Sequence, residues 1–596
     1  MAEEFLRDLK RTHYCGDLRA EDVGATVILL GWVQTRRDHG GCVFIDLRDR
    51  EGLTQVVFDP QDSAEAHAMA GELRSEFVLG VRGKVVSRGT QVNPKLKTGA
   101  IEVRADKLCI FNRSETPPFL IEDEIDTHEE KRLAHRYLDL RRGPLQRALI
   151  TRHRMHQATR NYFSGRGFLE LETPFMIRST PGGARNFLVP SRLNPGKFYG
   201  LAESPQLFKQ LYMVSGFDRY FQIVKCFRDE DLRGDRQPEF TQIDVEMSFV
   251  EPEDVFEVTE GLMVELVKAA KGQDLARGFP RLSYDDALAR YGVDKPDTRF
   301  GLELREVTDL AKADASVPLF AAAVAEGGIV KVLRLPGGGG LSRAELDSLE
   351  EVAKSFGARG LARAKVAPGG EWTQSPLAKS VSPALRQAIN ARAAASEGDI
   401  LLFQFGKAKV VNGVLGQLRV QLGKKLKLIP EGRDDFLWVV DFPLFEYSEE
   451  QKAFVASHHP FTSPRPEDVP HLLSDPGRAR AVAYDLVLNG NEVGGGSIRI
   501  HDSEVQAQVF RALGIDEQEA RSKFGFLLEA LKFGAPPHGG IALGMDRLAM
   551  LLTGGESLRD VIPYPKTQHG TDLMTGAPGD VSAAQLLELH VKSTAS

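Results

Sequence analysis

The densest run of chemically capable side chains lies between Tyr220 and Glu246. Two alternating segments, Tyr220-Phe-Gln-Ile-Val-Lys-Cys-Phe-Arg228-Asp-Glu230 and Pro238-Glu-Phe-Thr-Gln242-Ile-Asp244-Val-Glu246, flank the charged stretch Asp231-Leu-Arg-Gly-Asp-Arg-Gln237. That pattern predicts a β-hairpin with a long connection. Side chains alternate along a strand, so Arg228 and Glu230 are expected on one face of the first strand. By the same rule Gln242, Asp244 and Glu246 share a face of the second. The hairpin then offers a guanidinium, an amide and several carboxylates to one cavity. Arginine grips phosphate with a forked pair of hydrogen bonds and carboxylates hold an ammonium, which suits a substrate carrying both groups. A solvated, ion-paired hairpin has the same composition, and this segment alone leaves both readings open.

Two distant segments bear on the choice. Gly539-Gly-Ile-Ala-Leu-Gly544-Met-Asp546-Arg547-Leu-Ala-Met-Leu-Leu552 reads as a glycine-containing strand entering an apolar helix, with Arg547 at the junction where it can reach an anion. Phe163-Ser-Gly-Arg-Gly-Phe-Leu-Glu-Leu-Glu-Thr-Pro174 reads as a helix, a turn and a strand closing on proline. By contrast Gly337–Gly340 lacks a lysine partner for a phosphate loop and is expected to be only a turn.

The elements that must position these groups follow from periodicity. Short apolar runs from about Val27 to Ile110, separated by Gly and Asp turns, predict an all-β, five-stranded barrel. A polar segment with Pro117-Pro118 predicts a hinge. Gln146 to Gly167 predicts a helix with Ile150, His153, Ala158, Tyr162 and Phe163 on its apolar stripe, and a second helix is expected over about Pro252–Ala270. From about Gly301 to Gly423 the character changes. Ser342-Arg-Ala-Glu345 is a capping box opening a helix, within what reads as an inserted α+β domain. Strand-rich sequence then returns from Phe436 to about Pro565.

At 596 residues the chain is too long for one core. With 42% hydrophobic and 27% charged residues it has a globular composition, and no run approaches the ~20 apolar residues of a membrane span. The first ten residues are charged throughout and lack the apolar core of a signal peptide. Cys15, Cys42, Cys109 and Cys226 lack metal-ligand spacing, so neither a zinc site nor a disulfide framework is expected, and a reducing cytoplasm is the expected setting. The formal charge of −7 excludes indiscriminate nucleic-acid binding but not a partner held by a local basic patch.

Taken in order, the Pro174 segment, the Arg228 hairpin and the Arg547 strand–helix resemble the three motifs of class II aminoacyl-tRNA synthetases. Connecting segments sharpen this: Glu203-Ser-Pro-Gln206-Leu-Phe-Lys209-Gln-Leu, Arg236-Gln-Pro-Glu-Phe-Thr-Gln-Ile-Asp244, His458-His-Pro-Phe-Thr-Ser-Pro464 and Glu492-Val-Gly-Gly-Gly-Ser-Ile-Arg499-Ile-His501 resemble the bacterial-type aspartyl-tRNA synthetases over nearly the whole chain. The resemblance implies an α+β multidomain fold in five parts. These are an OB-fold anticodon-binding barrel (1–112), a hinge (113–145), an antiparallel catalytic sheet flanked by helices (146–290 and 431–596, the latter with a C-terminal extension) and the inserted α+β domain (291–430). It implies that Arg228 clamps the α-phosphate of ATP and Arg547 the γ-phosphate, that Glu230 and Gln237 contact the nucleotide, and that Asp485 and Glu492 hold Mg²⁺. Gln206, Lys209, Asp244 and Arg499 are then the aspartate ligands, with His458 or His459 lining the same pocket. Glu492 and Arg499 fall on opposite faces under strict alternation, so a bulge in the glycine run is expected between them.

In the barrel the resemblance implies that Phe44 stacks on an anticodon base while Arg37, Gln55 and Glu102 read base edges. Read without the family, the alternative for Phe44 is a barrel core residue. His39 stands where members charging both tRNA(Asp) and tRNA(Asn) often have histidine. The implied partners are these tRNAs, L-aspartate and a second copy of the chain through the segment ending at Pro174, with no membrane. Two segments depart from the family pattern: the loop Thr180-Pro-Gly182-Gly-Ala-Arg-Asn186 has lost both usual acids, and Glu203 replaces a usual glutamine. The rival readings are a sister synthetase for asparagine or lysine and a non-catalytic tRNA or amino-acid sensor on the same scaffold.

Overall fold

In the strand Thr26–His39 buried Val27, Leu29, Gly31 and Val33 alternate with half-exposed neighbours, and Cys42–Arg48 buries Val43, Ile45 and Leu47 in the same way. This alternation closes a barrel in the computed structural model, which describes residues 2–179, 185–230, 232 and 236–594. The barrel order is Thr26–His39, Cys42–Arg48, Leu53–Phe58, Ile101–Asn112 and Val78–Ser87. Leu53–Phe58 and Ile101–Asn112 run parallel and the other neighbours antiparallel. Phe44 falls on the outward phase, half-buried, so it is not a core residue. The all-β expectation needs one correction: Ala64–Ala70 is a helix, capped by Ser63, whose Ala66 and Ala70 join the barrel core. Its alanines are strong helix formers that a search for alternating strands passes over.

Chain contacts separate two units, Met1–Ile150 with Ile562–Gly579 and Thr151–Val561 with Asp580–Ser596. In the first, the polar segment after the barrel is more than a loose hinge. It contains the helices Glu129–Ala134 and Arg136–Asp139. Fully buried Asp139 accepts from Arg136 and Arg142 at 2.8 and 2.9 Å. Arg142 in turn donates to the carbonyls of Glu122 and Asp123, and Arg136 to those of Ile562 and Pro563.

The helix predicted at 146–167 spans Gly143–Ser164. Its buried stripe is Leu145, Ala148, Arg152, Met155, Thr159 and Phe163, which corrects the expected one: His153 is exposed and Ile150, Ala158 and Tyr162 are only half-buried. Apolar character misled because the buried face includes Arg152, paired with buried Asp546 of the helix Met545–Thr553. The other oxygen of Asp546 accepts the Thr241 amide at 2.7 Å, so one carboxylate ties three segments together.

The second unit is organised by an eight-stranded sheet in the order Arg281–Ser283, Phe436–Val440, Ala483–Leu488, Asn491–Ile498, His538–Gly544, Glu239–Ser248, Arg219–Phe227 and Leu169–Glu170. All neighbours are antiparallel except the two edge pairings. Its order sets Glu239–Ser248 directly beside His538–Gly544, so side chains roughly 300 residues apart meet on one face. The helix Pro252–Lys271, with a capping box, an N-terminal proline and left-handed Gly272 at its end, packs Phe256 against Trp438 and Tyr484.

Between Arg281–Ser283 and Phe436–Val440 the chain leaves the sheet to form another. Its five antiparallel strands run Leu304–Glu306, Ile329–Leu335, Ile400–Gly406, Ala362–Val366 and Trp372–Thr373, with a hydrophobic cluster on each face. Ser342 caps the helix Arg343–Ser355 with Glu345 as its reciprocal partner, and Gly338–Gly340 is a single tight turn before it, as the sequence indicates. The entry to this inserted sheet is clamped by Arg419. That side chain is 1% exposed, lies between the rings of Phe300 and Tyr291, and donates to the carbonyls of Asp297, Phe300 and Gly301 at 2.7–2.8 Å.

Candidate active site

The predicted hairpin forms, with Phe227 opposite Glu239. Its first strand stops at Phe227, so Arg228 and Glu230 stand just beyond the ladder and strict alternation does not place them; both nevertheless line one cavity of about 610 Å³. Asp231 and residues 233–235 of the connection lie outside the described residues. Arg228 rests on the face of Phe240 with its guanidinium carbon 5.0 Å from the ring centroid, and its Nε is buried without a protein partner. A cation held flat and unsatisfied in this way is ready for an anion. Glu230 pairs with Arg236 at 2.8 Å, and Gln237 lies beside them, 6% exposed.

Opposite these groups, Asp485 and Glu492 come from adjacent strands. Leu486 pairs with Gly494 but Val487 with Glu492, so Val493 is an extra residue: the expected bulge. It returns Glu492 to the face carrying Gly495, Ser497 and Arg499. At Gly495 a Cβ would stand 2.7 Å from Asp485 Oδ1 and 3.8 Å from Glu492 Oε1, so only glycine leaves the space between the carboxylates open. Burial, and then Asp485 beside it, raises the pKa of Glu492. Among the described residues no three His, Cys, Asp or Glu side chains converge as a metal cluster. Asp485 and Glu492 offer the carboxylate oxygens that a hard divalent cation prefers. Arg547 lines the same end, its Nη1 donating to the Glu492 carbonyl at 2.6 Å.

The far end is built on a buried quartet. Lys209, Asp244, Glu246 and Arg499 are each at most 4% exposed. Lys209 Nζ contacts Asp244 Oδ1 at 2.8 Å, Glu246 Oε2 at 3.1 Å and the Val245 carbonyl at 3.3 Å, which uses its three hydrogens. Arg499 donates through Nε and Nη2 to the two oxygens of Glu246, at 3.0 and 3.2 Å, and through Nη1 to Ser497 at 2.6 Å. One N–H remains on each terminal nitrogen of Arg499. Asp244 Oδ2 and Gln206 Nε2 are buried with no protein partner. Burial raises the pKa of both carboxyls. At Asp244 burial outweighs Lys209 and the value is pushed up to about 6, whereas at Glu246 Arg499 and Lys209 outweigh it and the value falls to about 2.

The two histidines face different ends. His458 Nε2 lies 3.5 Å from Asp485, which draws its pKa up against burial. His459 is the one that feels Arg499 and Lys209; burial and these cations hold it at about 3, hence neutral. Sequence reasoning placed Glu246 on the right face but gave it no role, although its position two residues beyond Asp244 was the available signal. It also left out Phe240 and Ser497, and nothing in the pattern marked Lys295, whose Nζ stands 4.0 Å from Glu492. The altered loop at Gly182 lies outside the described residues, and Glu203 sits on the turn before the Gln206–Val214 helix.

On the barrel, Arg37 pairs across from Phe44 and donates to Asp46 and Gln55 at 3.2 and 3.3 Å, while Gln55 donates to Glu102 at 2.7 Å. These residues form one continuous outer patch. His39 is exposed beside the Gly40-Gly41 turn, opposite Cys42.

Comparison with known proteins gives two family matches: tRNA synthetases class II (D, K and N) over residues 128–568, and the OB-fold nucleic acid binding domain over residues 27–110. The chain is 65% identical to the aspartate--tRNA(Asp/Asn) ligase of Anaeromyxobacter dehalogenans strain 2CP-1, and 56% identical to that of Geotalea uraniireducens strain Rf4, across 99% of both chains in each case. Among solved structures, the asparaginyl-tRNA synthetase of Pyrococcus horikoshii complexed with asparaginyl-adenylate superposes with a TM-score of 0.58 at 17% identity, covering 94% of this chain and 98% of that one. The aspartyl-tRNA synthetase of Entamoeba histolytica gives 0.57 at 18% identity over 94% and 92%, so both show the shared fold.

Proposed function

The chain belongs to the class II tRNA synthetases of the aspartate, lysine and asparagine group, and from that membership we infer that it activates L-aspartate with ATP and transfers it to the 3′ end of tRNA(Asp). The single observation that carries the choice of amino acid is Arg499. Its guanidinium is fixed by Glu246 and Ser497 and keeps one free N–H on each terminal nitrogen, a fork for the substrate side-chain carboxylate. A lysine side chain would bring an ammonium against that cation. An asparagine amide would face it with an NH₂, leaving part of a donor-only fork unpaired. The unpartnered Asp244 Oδ2 then receives the substrate ammonium, with the Gln206 amide beside it.

At the other end Arg228 and Arg547 bind the triphosphate, with Glu230 and Gln237 against the nucleotide. Asp485 and Glu492 would hold Mg²⁺, which supplies positive charge against the phosphates when bound. Attack by the aspartate α-carboxylate oxygen forms a bond to the α-phosphorus, the bond to the bridging oxygen breaks, and pyrophosphate departs. A hydroxyl of the terminal tRNA ribose then displaces the adenylate from the carbonyl carbon. No protein nucleophile is needed: the residues align the reactants and offset the repulsion between carboxylate and phosphate. Retention of both arginines and both carboxylates also favours an enzyme over a sensor. Aspartate-dependent ATP–pyrophosphate exchange tests this directly. Arg499→Leu is expected to lower exchange by about a thousandfold through loss of a buried charge partner while nucleotide binding persists. Exchange by the wild type with asparagine or lysine in place of aspartate would refute the reading.

The enzyme is proposed to work as a cytoplasmic homodimer through the segment ending at Pro174. Leu169 of this segment and Phe175 just after it are exposed, as are Met176, Leu188 and Phe198 of the small sheet that follows, an apolar surface that a two-fold partner would cover. Among the described residues no helix is long and apolar enough to cross a membrane. Sedimentation as a monomer at micromolar concentration would remove the dimer.

The barrel patch reads the anticodon, with Phe44 as the stacking platform. We extend the substrate range to tRNA(Asn) on the strength of His39. The two anticodons differ at the third base, where cytosine presents an amino donor and uracil a carbonyl acceptor. A neutral imidazole at the exposed tip carries one donor and one acceptor and accommodates either. Wild-type enzyme is expected to charge both transcripts, and His39→Leu to lower the tRNA(Asn) to tRNA(Asp) ratio about tenfold, the ~1–3 kcal/mol of one base contact. An unchanged ratio would absolve His39.

A further inference from the structure

The segment Tyr291-Gly-Val-Asp294-Lys295-Pro-Asp297 carries the chain from the sheet into the inserted region, and nothing in its composition marks it as functional. The structure nevertheless brings Asp294 and Lys295 to the wall of the nucleotide end of the cavity, beside Asp485, Glu492 and Arg547. Lys295 Nζ lies 4.0 Å from Glu492 Oε2, too far for a hydrogen bond, and its side chain is 49% exposed. An ammonium on a flexible stem, near the Glu492 carboxylate but not hydrogen-bonded to it, is free to move when a charged ligand arrives.

Packing just beyond Lys295, at Asp297 to Gly301, explains why its backbone is held there. Asp297, 5% exposed, takes the Arg299 guanidinium at 3.0 and 2.7 Å and the Arg299 amide at 3.0 Å. Arg419 grips the carbonyls of Asp297, Phe300 and Gly301. A Cβ at Gly490 would stand 3.0 Å from that of Asp297. Gly490 is the left-handed turn residue, φ 79°, between the strands that carry Asp485 and Glu492. The linker is thus packed against the very turn that spaces the two carboxylates.

We propose that Lys295 is a catalytic residue of the activation step, binding the β- and γ-phosphates of ATP and the pyrophosphate they become. When the bond from the α-phosphorus to the bridging oxygen breaks, negative charge accumulates on the departing diphosphate. Arg547 meets it from the helix junction, and Lys295 from the linker. Asp485 and Glu492 would hold Mg²⁺, which would supply further positive charge there, while Lys295, 4.0 Å from Glu492 Oε2 and not hydrogen-bonded to it, is able to turn toward the phosphates. The inserted region thereby contributes a cation to the chemistry through its anchored entry linker.

This proposal rests on the synthetase reading above, and the experiment separates the two. Exchange kinetics are measured for wild type, Lys295→Ala and Lys295→Arg with aspartate and pyrophosphate varied in turn. The Ala variant is expected to raise the pyrophosphate KM about tenfold or more with the aspartate KM within about twofold, and Arg to restore most of the loss. A structural role alone would not move one substrate's KM selectively or be rescued by another cation. An unchanged pyrophosphate KM in the Ala variant, or equal rises for both substrates, overturns the proposal. Failure of the wild type to exchange with aspartate overturns the earlier reading instead.

Discussion

Everything at the amino-acid end of the cavity depends on four charges that have been taken out of water together. Removing any ion from solvent costs several kcal/mol, and the cost is offset only when its partners are close and its hydrogen-bonding groups filled. Lys209 spends all its donors on Asp244, Glu246 and a carbonyl, and Glu246 spends both oxygens on Arg499. What is left over is a short inventory: two N–H groups on Arg499, one oxygen on Asp244 and the amide of Gln206. Those residual valences match a dicarboxylic amino acid, anion against cation and ammonium against carboxylate. The network therefore acts as specificity by subtraction. Lys209, expected from the family resemblance as an aspartate ligand, holds the two carboxylates in place with its three hydrogens.

That arrangement exists only because of the strand order. Asp244 and Glu246 sit on one strand, Arg499 leaves the end of another, and the strand His538–Gly544 lies between them. The same strand delivers Arg547 at its exit, and the residue immediately before it, Asp546, is pinned by Arg152 and the Thr241 amide. Arg152 comes from the helix of the first motif, Thr241 from the second and Asp546 from the third. One buried carboxylate thus holds the three motifs in register, which is why a helix face that reads poorly as an apolar stripe is nonetheless strongly specified. The bulge at Val493 makes the last adjustment, turning Glu492 toward Asp485 without moving Arg499.

How much of this could be read beforehand varied with the range of the interaction. Period-two alternation exposed the hairpin and the barrel strands, whereas the outward placing of Phe44 came only from the family resemblance. A three-residue spacing exposed the Ser342 capping box, and a run of glycines exposed the need for a bulge. All are local. The burial of Arg152 was invisible because its partner lies 394 residues away. The role of Glu246 was hidden for the same reason, with Arg499 253 positions distant. The helix Ala64–Ala70 was missed because a strong strand context suppressed a short alanine-rich signal. Lys295 had no signature at all: its place follows from how the linker packs against Gly490, a contact of shape rather than of pattern.

The central claim is that Asp244, kept near its ionisation point by burial against the pull of Lys209, supplies the free carboxylate oxygen that receives the substrate ammonium. Calorimetric titration of L-aspartate into the enzyme without ATP, from pH 5 to pH 8, tests it most directly. A carboxyl raised to about 6 is protonated as the pH falls through that value, whereas the substrate's own groups do not titrate there. The dissociation constant is therefore predicted to be flat above about pH 7 and to rise about tenfold per unit below about pH 6, with proton release accompanying binding in the acid range. A dissociation constant that stays flat down to pH 5 would contradict the account, as would an Asp244→Asn variant that binds aspartate as tightly as the wild type at pH 8.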